Sequence, residues 1–183
     1  MTPGRLIADA IGILERSGVP YMVTGSFASS YHGEPRATRD LDIVIDPEPA
    51  SLGRLVTGLE AAGFYVDGDV AANALRERSQ FNAIGHDATK VDFIIRRDRP
   101  FSVEEFGRRR SADLLGTPGF IASIEDTIIA KLEWAATMES ERQLRDVAGM
   151  LEVGGDAVDR GYVERWVEAL GLADAWRDVE RRV

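Results

Sequence analysis

The spacing of apolar residues changes character along this chain of 183 residues, and the change falls near Pro118-Gly119. Before that point, short alternating runs predict strands at 20–24, 41–45, 80–85, 90–95 and 110–114, together with helices at 3–17, 26–32 and 49–62. After it, helical spacing predicts helices at 123–137, 140–152, 157–170 and 172–181, with Gly154-Gly155 and Gly171 at the last two breaks. We therefore predict an α/β fold with a mixed sheet flanked by helices in residues 1–117, followed by a C-terminal helical region in residues 118–183.

The segment from Asp40 to Asp46 has the clearest alternation. Leu41, Ile43 and Ile45 fall on one face of a strand, whereas Asp40 and Asp42 fall on the other, with their Cβ atoms about 6 to 7 Å apart. Two carboxylates this close repel each other, and a hard divalent cation such as Mg²⁺ would relieve that repulsion. The alternative is an edge strand with a hydrated acidic face.

Gly25-Ser26 interrupts the pattern between a predicted strand and a predicted helix. A glycine at such a turn lets the backbone approach a ligand, and the first N–H groups of the helix attract phosphate oxygens. The hydroxyl of Ser26 would add a donor. Taken alone, the dipeptide is more typical of an ordinary helix N-cap than of a phosphate site.

Asp92 is an isolated acid in the apolar strand Val91 to Ile95. Aspartate is depleted in strands, so its presence there calls for a partner or a metal ion. If this strand pairs with the one that carries Asp40 and Asp42, three carboxylates converge on one sheet face. That arrangement suits two-metal phosphoryl transfer.

Composition limits the alternatives. The chain has no cysteine and only two histidines, which excludes disulfides, thiolate catalysis and cysteine zinc sites and leaves hard oxygen ligands. A net charge of −9 argues against broad binding to duplex nucleic acid. The N-terminal residues predict an amphipathic helix rather than a signal peptide, and no stretch of about 18 apolar residues occurs, so we expect a cytoplasmic protein with no membrane partner.

Gly25-Ser26, the later Asp40-Leu41-Asp42 and Val91-Asp92-Phe93 together resemble the nucleotidyltransferase superfamily related to DNA polymerase β. The run from Arg36 to Asp42 and the helix from Ile124 to Leu132 are similar to the bacterial AbiEii-type branch, which contains toxin-antitoxin nucleotidyltransferases. This resemblance implies a nucleotidyltransferase-like mixed sheet and Mg²⁺-dependent transfer of a nucleoside monophosphate from an NTP to an acceptor.

The resemblance also implies roles for individual residues. Gly25 and Ser26 would hold the phosphates, Asp40 and Asp42 would bind metal, and Asp92 would ligate a second ion or accept the proton of the acceptor. In the AbiEii-type branch a helix lysine and a further aspartate enter the site, and they correspond here to Lys131 and Asp146.

Three of the candidate residues have a second interpretation. Lys131 would either reach a phosphate or extend to water from the flank of its helix. Asp146 would either enter the site or pair with Arg142 on a helix surface. Arg39, the better candidate of the two arginines before the acidic strand, would bind a phosphate or neutralise Asp40 and Asp42.

The leading functional hypothesis is therefore an Mg²⁺-dependent nucleotidyltransferase acting on an RNA, protein or small-molecule hydroxyl, with a role in a toxin-antitoxin system. One alternative is a non-catalytic component of a toxin-antitoxin pair that binds a partner protein. Another is a small-molecule, antibiotic nucleotidyltransferase, which has the same chemistry and a different acceptor.

Overall fold

The computed structural model describes residues 2–36, 40–85, 89–138 and 140–183. The helices in these segments are α1 (Pro3–Ser17), α2 (Gly25–His32), α3 (Pro49–Ala61), α4 (Gly68–Glu77), α5 (Pro100–Gly107), α6 (Ile124–Met138), α7 (Glu141–Gly154), α8 (Arg160–Ala169) and α9 (Ala173–Glu180). The strands are β1 (Tyr21–Thr24), β2 (Asp40–Ile45), β3 (Tyr65–Val66), β4 (Gln80–Ile84), β5 (Lys90–Ile95), β6 (Arg110–Leu114) and β7 (Thr117–Ile121). A short 3₁₀ helix (Gly155–Ala157) follows α7.

The strands form one mixed sheet in the order β3-β4-β5-β2-β1-β7-β6. At its centre β2 runs antiparallel to β1 and parallel to β5. β4 pairs antiparallel with β5, while β7 pairs parallel with β1 and antiparallel with β6. This architecture, with helices accompanying the sheet and a helical C-terminal region, confirms the predicted fold class.

Alternation along the two central strands separates their faces as the sequence predicts. Leu41, Ile43 and Ile45 of β2 are buried, as are Val91, Phe93 and Ile95 of β5. Phe93 stacks on Phe81 of β4, with the ring centroids 5.1 Å apart. Burial of one face of β2 and β5 fixes their register, because a shift by one residue would move every apolar side chain to the opposite face.

Two compact units divide the chain. The first contains Met1–Thr24 and Thr38–Ile121, and therefore the whole sheet with α1, α3, α4 and α5. The second contains Gly25–Ala37 and Ala122–Val183, and therefore α2 with the C-terminal helices. The division at residues 117 and 118 made from the sequence stays a prediction, because compactness alone does not show which segments fold independently.

Four elements were absent from the predicted set: β3, α4, α5 and β7. β7 was missed because Pro118-Gly119 reads as a break, yet the strand continues through both residues. β7 meets β1 only through Val23 and Ile121, so Pro118 lies where the strand pairs with β6 alone. A Cβ at Gly119 would lie 2.9 Å from Ile11 Cδ1 and from Leu114 Cδ1, so a larger residue here would have to displace the ends of these two side chains.

Helix α6 has a largely buried surface, with Ile128, Ile129 and Leu132 in the core of the second unit. No helix in the described segments combines the length and apolar character needed to cross a membrane. The start of α6 also carries a buried polar network. Asp126 is fully buried and accepts hydrogen bonds of 2.6 Å from Ser123 Oγ and from Tyr162 Oη of α8.

Replacing Tyr162 with phenylalanine tests this network. Loss of the hydroxyl removes a donor from a buried carboxylate, so we expect the Tyr162→Phe variant to lose about 2 kcal/mol of unfolding free energy. Urea denaturation followed by circular dichroism measures it. Tyr31→Phe is the matched control, because the Tyr31 side chain is exposed. Equal losses in the two variants would contradict a stabilising role for the Tyr162 hydroxyl.

Candidate active site

The exposed side of the central strands carries the three predicted acids. In the parallel pairing of β2 with β5, Asp42 lies directly opposite Asp92, and Asp40 lies opposite Lys90. Because side chains at paired positions share a face and adjacent strands lie about 5 Å apart, all three carboxylates are on one side of the sheet. We call Asp40, Asp42 and Asp92 the acid face.

Polar residues extend the row that contains Asp42 and Asp92 across two further strands. Thr24 of β1 is paired with Asp42, and Asn82 of β4 is paired with Asp92. The row therefore reads Thr24, Asp42, Asp92 and Asn82 over four neighbouring strands. Sequence reasoning missed Asn82, although its place between Phe81 and Ala83 gives β4 the same apolar and polar alternation as β5.

Lys90 contributes a positive charge to the acid face. Its Nζ lies 2.9 Å from Asp92 Oδ2, and its side chain is 40% exposed whereas that of Asp92 is 14% exposed. The hydrogen bond to Asp92 raises the pKa of Lys90, and the charges of Asp92, Asp40 and Asp42 add to this effect, while burial opposes it. Lys90 therefore carries an ammonium that pairs with the carboxylate predicted to bind metal or accept a proton.

One signal in the sequence could have identified Lys90. Of the 22 basic residues, 20 are arginines, and the two lysines are Lys90 and Lys131. A lysine carries a compact and displaceable positive charge, whereas an arginine would hold a carboxylate in a rigid two-bond fork, so the residue type is itself a signal.

The acid face offers the right ligand chemistry for a hard divalent cation. Its donors are carboxylate oxygens, and two of the three carboxylates are direct neighbours in the register. Across the described segments, however, no three histidine or acidic side chains are grouped closely enough to enclose a metal ion. The oxygen of Asp92 that faces Lys90 is already engaged, so the donor set fits a cation once Lys90 has released it.

Gly25 and Ser26 begin α2 in the second unit, immediately after β1. Gly25 has a φ of +64°, a left-handed conformation that favours glycine, as the sequence predicts for a turn between strand and helix. Ser26 Oγ accepts a hydrogen bond of 3.2 Å from Arg36 Nη2. The serine hydroxyl and a guanidinium therefore lie together at the start of this helix.

The carboxylate of Asp146 in α7 connects Arg36 to Lys131 of α6. Its Oδ2 accepts a hydrogen bond from Arg36 Nη2 and another from Lys131 Nζ, each 2.8 Å long. The side chains of Asp146 and Lys131 are only 11% and 6% exposed. We call Ser26, Arg36, Lys131 and Asp146 the basic cluster, since two cations share one carboxylate.

These contacts decide between the alternative conformations foreseen for Lys131 and Asp146. Lys131 does not extend to water along its helix, and Asp146 pairs with Lys131 and Arg36 rather than lying on a solvent-exposed helix surface. Burial lowers the pKa of Lys131, and the hydrogen bond and charge of Asp146 partly offset that effect. Asp146 therefore favours the charged form of a buried lysine.

The predicted site residues thus fall into two groups. Asp40, Asp42 and Asp92 are together in the first unit, and Ser26, Lys131 and Asp146 are together in the second. Arg39 lies outside the described residues. Arg36, which the sequence ranked below Arg39, contacts Ser26 and Asp146.

Comparison with known proteins gives matches only at the level of structure. No protein-family model matches the sequence, and no curated protein matches it significantly. The antibiotic-resistance factor ANT(2'')-Ia, whose structure in complex with adenylyl-2''-tobramycin is known, is 16% identical with a TM-score of 0.66, over 96% of this chain and 99% of that one.

Two further structures are similar. The lincosamide antibiotic adenylyltransferase LnuA, bound to lincomycin, is 13% identical with a TM-score of 0.59, over 84% of this chain and 98% of that one. An antigenic nucleotidyltransferase-like protein from Paracoccidioides brasiliensis is 15% identical with a TM-score of 0.56, over 96% of this chain and 92% of that one. The chain therefore has the fold of these nucleotidyltransferases.

Proposed function

We propose that this protein is an Mg²⁺-dependent nucleotidyltransferase that transfers a nucleoside monophosphate from an NTP to a hydroxyl acceptor. The observation that carries the proposal is the pairing of Asp42 with Asp92, with Asp40 on the same face, in a sheet of the nucleotidyltransferase fold. Fold alone does not give function. The acid face adds the chemistry that such a transfer requires.

The acid face would perform two tasks. Asp40 and Asp42 would hold Mg²⁺, which when bound neutralises charge on the triphosphate and orients it for attack. Asp92 would ligate a second ion or accept the proton of the acceptor hydroxyl. The acceptor oxygen forms a bond to the α-phosphorus as the bond from that phosphorus to the β-bridging oxygen breaks, and pyrophosphate leaves with the electron pair.

The basic cluster is the proposed site for the triphosphate. Arg36 and Lys131 bring two positive charges to a single carboxylate, so the cluster retains a net positive charge for phosphate oxygens. Gly25 and Ser26 add the backbone and hydroxyl donors of a helix start. Asp146 would act as a positioning residue, because it fixes both cations without contacting the nucleotide itself.

For the acceptor, we propose a small hydroxyl compound first. ANT(2'')-Ia and LnuA, which share the fold, are associated with tobramycin and lincomycin. The net charge of −9 also disfavours a long nucleic-acid acceptor, although a short RNA end or a protein hydroxyl uses the same chemistry. An AbiEii-type role in a toxin-antitoxin system is the finer proposal, and it rests on the resemblance of the sequence.

The direct assay incubates purified protein and Mg²⁺ with each α-labelled NTP and a panel of acceptors, namely tobramycin, lincomycin, total RNA and a cell lysate. We expect label in one acceptor class and none with the Asp40→Ala/Asp42→Ala double variant, because that variant loses both proposed ligands of the first metal ion. Transfer that persists at the wild-type rate in the double variant would contradict the assignment. Omission of Mg²⁺ should also abolish label transfer by the wild type.

A second candidate function is supported by one surface feature. Trp134 and Met138 of α6 are 57% and 64% exposed, and they lie one helical turn apart. Such a pair suits contact with a partner protein, as in a non-catalytic component of a toxin-antitoxin pair. Co-purification with a stoichiometric partner that binds the triple Asp40, Asp42 and Asp92 alanine variant equally well, without any transfer activity, would favour this candidate.

A further inference from the structure

Lys90 occupies an unusual place in the acid face. It belongs to the same strand as Asp92, faces Asp40 across the pairing of β2 with β5, and holds Asp92 Oδ2 at 2.9 Å. Three carboxylates and one ammonium therefore share four adjacent positions on the sheet. The charge of Lys90 reduces the mutual repulsion of these carboxylates.

An ammonium and a divalent cation compete for the same carboxylate oxygen, because the charge of the ammonium weakens the attraction between that oxygen and the metal ion. Asp92 has two carboxylate oxygens to offer a metal ion, and Lys90 binds one of them. The Asp92 side chain is only 14% exposed. A positive charge a few ångströms from a bound cation also weakens binding through direct repulsion. Both effects oppose the entry of a metal ion while Lys90 stays in place.

We propose that Lys90 is a built-in competitor of the divalent cation, which neutralises Asp92 in the metal-free protein and must release it before the cation is bound. This inference rests on the proposed function. Lys90 would act through Asp92, by occupying the carboxylate that the cation uses, and the family resemblance of the sequence does not imply this role. Because an ammonium is a single point charge on a flexible stem that is 40% exposed, it can move away from Asp92 without displacing β5.

Mn²⁺ titration of the nucleotide-free protein tests the competition without any assay of activity. We expect Lys90→Met to bind Mn²⁺ at least about tenfold more tightly than the wild type, since a unit positive charge beside the site is removed. Calorimetry or the signal of free Mn²⁺ in paramagnetic resonance gives the dissociation constant. Lys90→Arg keeps the charge, so its Mn²⁺ affinity should be no higher than that of the wild type.

Thermal unfolding provides a second measurement on the same proteins. Lys90→Met should unfold at a lower temperature than the wild type in the absence of metal, because three carboxylates then lack their ammonium. Saturating Mn²⁺ should raise its unfolding temperature more than it raises that of the wild type. The metal-free unfolding curve also shows whether the variant is folded.

The outcomes distinguish failure of the proposed role of Lys90 from failure of the proposed metal site. Equal Mn²⁺ affinity in the wild type and Lys90→Met, with Asp42→Asn losing it, would overturn the role of Lys90 and leave the proposed function intact. Tighter binding by Lys90→Arg than by the wild type would also overturn the competition. Absence of Mn²⁺ binding, or binding that Asp42→Asn leaves unchanged, would overturn the metal site and this inference with it.

Discussion

Replacing Asp42 with asparagine is expected to lower the rate of nucleotidyl transfer by about 10³-fold. Asp42 is the acid directly beside Asp92 in the sheet, so it is the carboxylate best placed to share a cation with that side chain. Loss of its charge removes several kcal/mol of transition-state stabilisation, and about 4 kcal/mol corresponds to a factor of 10³. Steady-state kinetics with a labelled NTP measure the change in kcat.

Stability measurements and a control variant show whether a lower kcat comes from lost chemistry or from a poorly folded protein. Asparagine has nearly the shape of aspartate, so the free energy of unfolding should stay within about 1 kcal/mol of the wild-type value. Asp174→Asn is the matched control, because the side chain of Asp174 is 94% exposed on α9. A kcat for Asp42→Asn within tenfold of the control would remove Asp42 from the chemistry.

The second large effect is expected at Asp146, where function and stability change together. Asp146→Asn leaves Lys131 buried without its anionic partner, so we expect a loss of about 3 kcal/mol in the free energy of unfolding. The KM for the NTP should rise about tenfold or more, because Lys131 and Arg36 then both lose the carboxylate that positions them. Lys131→Met should raise KM similarly with a smaller loss of stability, since Arg36 still pairs with Asp146.

The pH dependence of stability follows from the direction of the Lys131 pKa. Burial lowers this pKa below the usual 10.5 in the folded protein, so the unfolded chain binds more protons between the two values, and stability rises with pH in that window. Removing Asp146 takes away the contact that partly offsets burial and lowers the pKa further. The stability deficit of Asp146→Asn should therefore shrink as pH rises toward 10.5.

Chemical denaturation from neutral to alkaline pH measures the deficit at each step. Arg160→Gln is a suitable control, because Arg160 is exposed on α8 and a change there leaves the pair between Lys131 and Asp146 in place. A deficit for Asp146→Asn that is constant with pH would contradict the charge state assigned to Lys131. Equal KM values for Asp146→Asn and the wild type would contradict the proposed phosphate site.

The strands that can be predicted from the sequence are those in which apolar and polar residues alternate strongly. β2 and β5 each place three large apolar side chains on one face, which predicts both strands and the orientation of Asp40, Asp42 and Asp92. Helix α4 was missed because its buried residues are Ala71 and Ala74, whose small side chains give a weak apolar period. The N-cap Asp67 marks the start of α4, but a prediction based only on apolar spacing does not use that signal.

The contacts that define the candidate site depend on pairings between distant residues. Asp146 and Arg36 are separated by 110 positions, so nothing local in the sequence indicates that Arg36 reaches α7. The side-by-side placement of Lys90 and Asp40 likewise depends on the parallel register of β5 with β2. Sequence supplied the types of residue, whereas the sheet register and helix packing determine which of them meet.

One measurement tests nucleotidyl transfer most directly. The same NTP is supplied with its label at either the α- or the γ-phosphate, together with Mg²⁺ and the acceptor identified in the panel. We expect the α-label to enter the acceptor and the γ-label to be recovered in pyrophosphate, with both signals lost in Asp42→Asn. Entry of the γ-label into the acceptor, or α-label transfer that Asp42→Asn leaves unchanged, would contradict it.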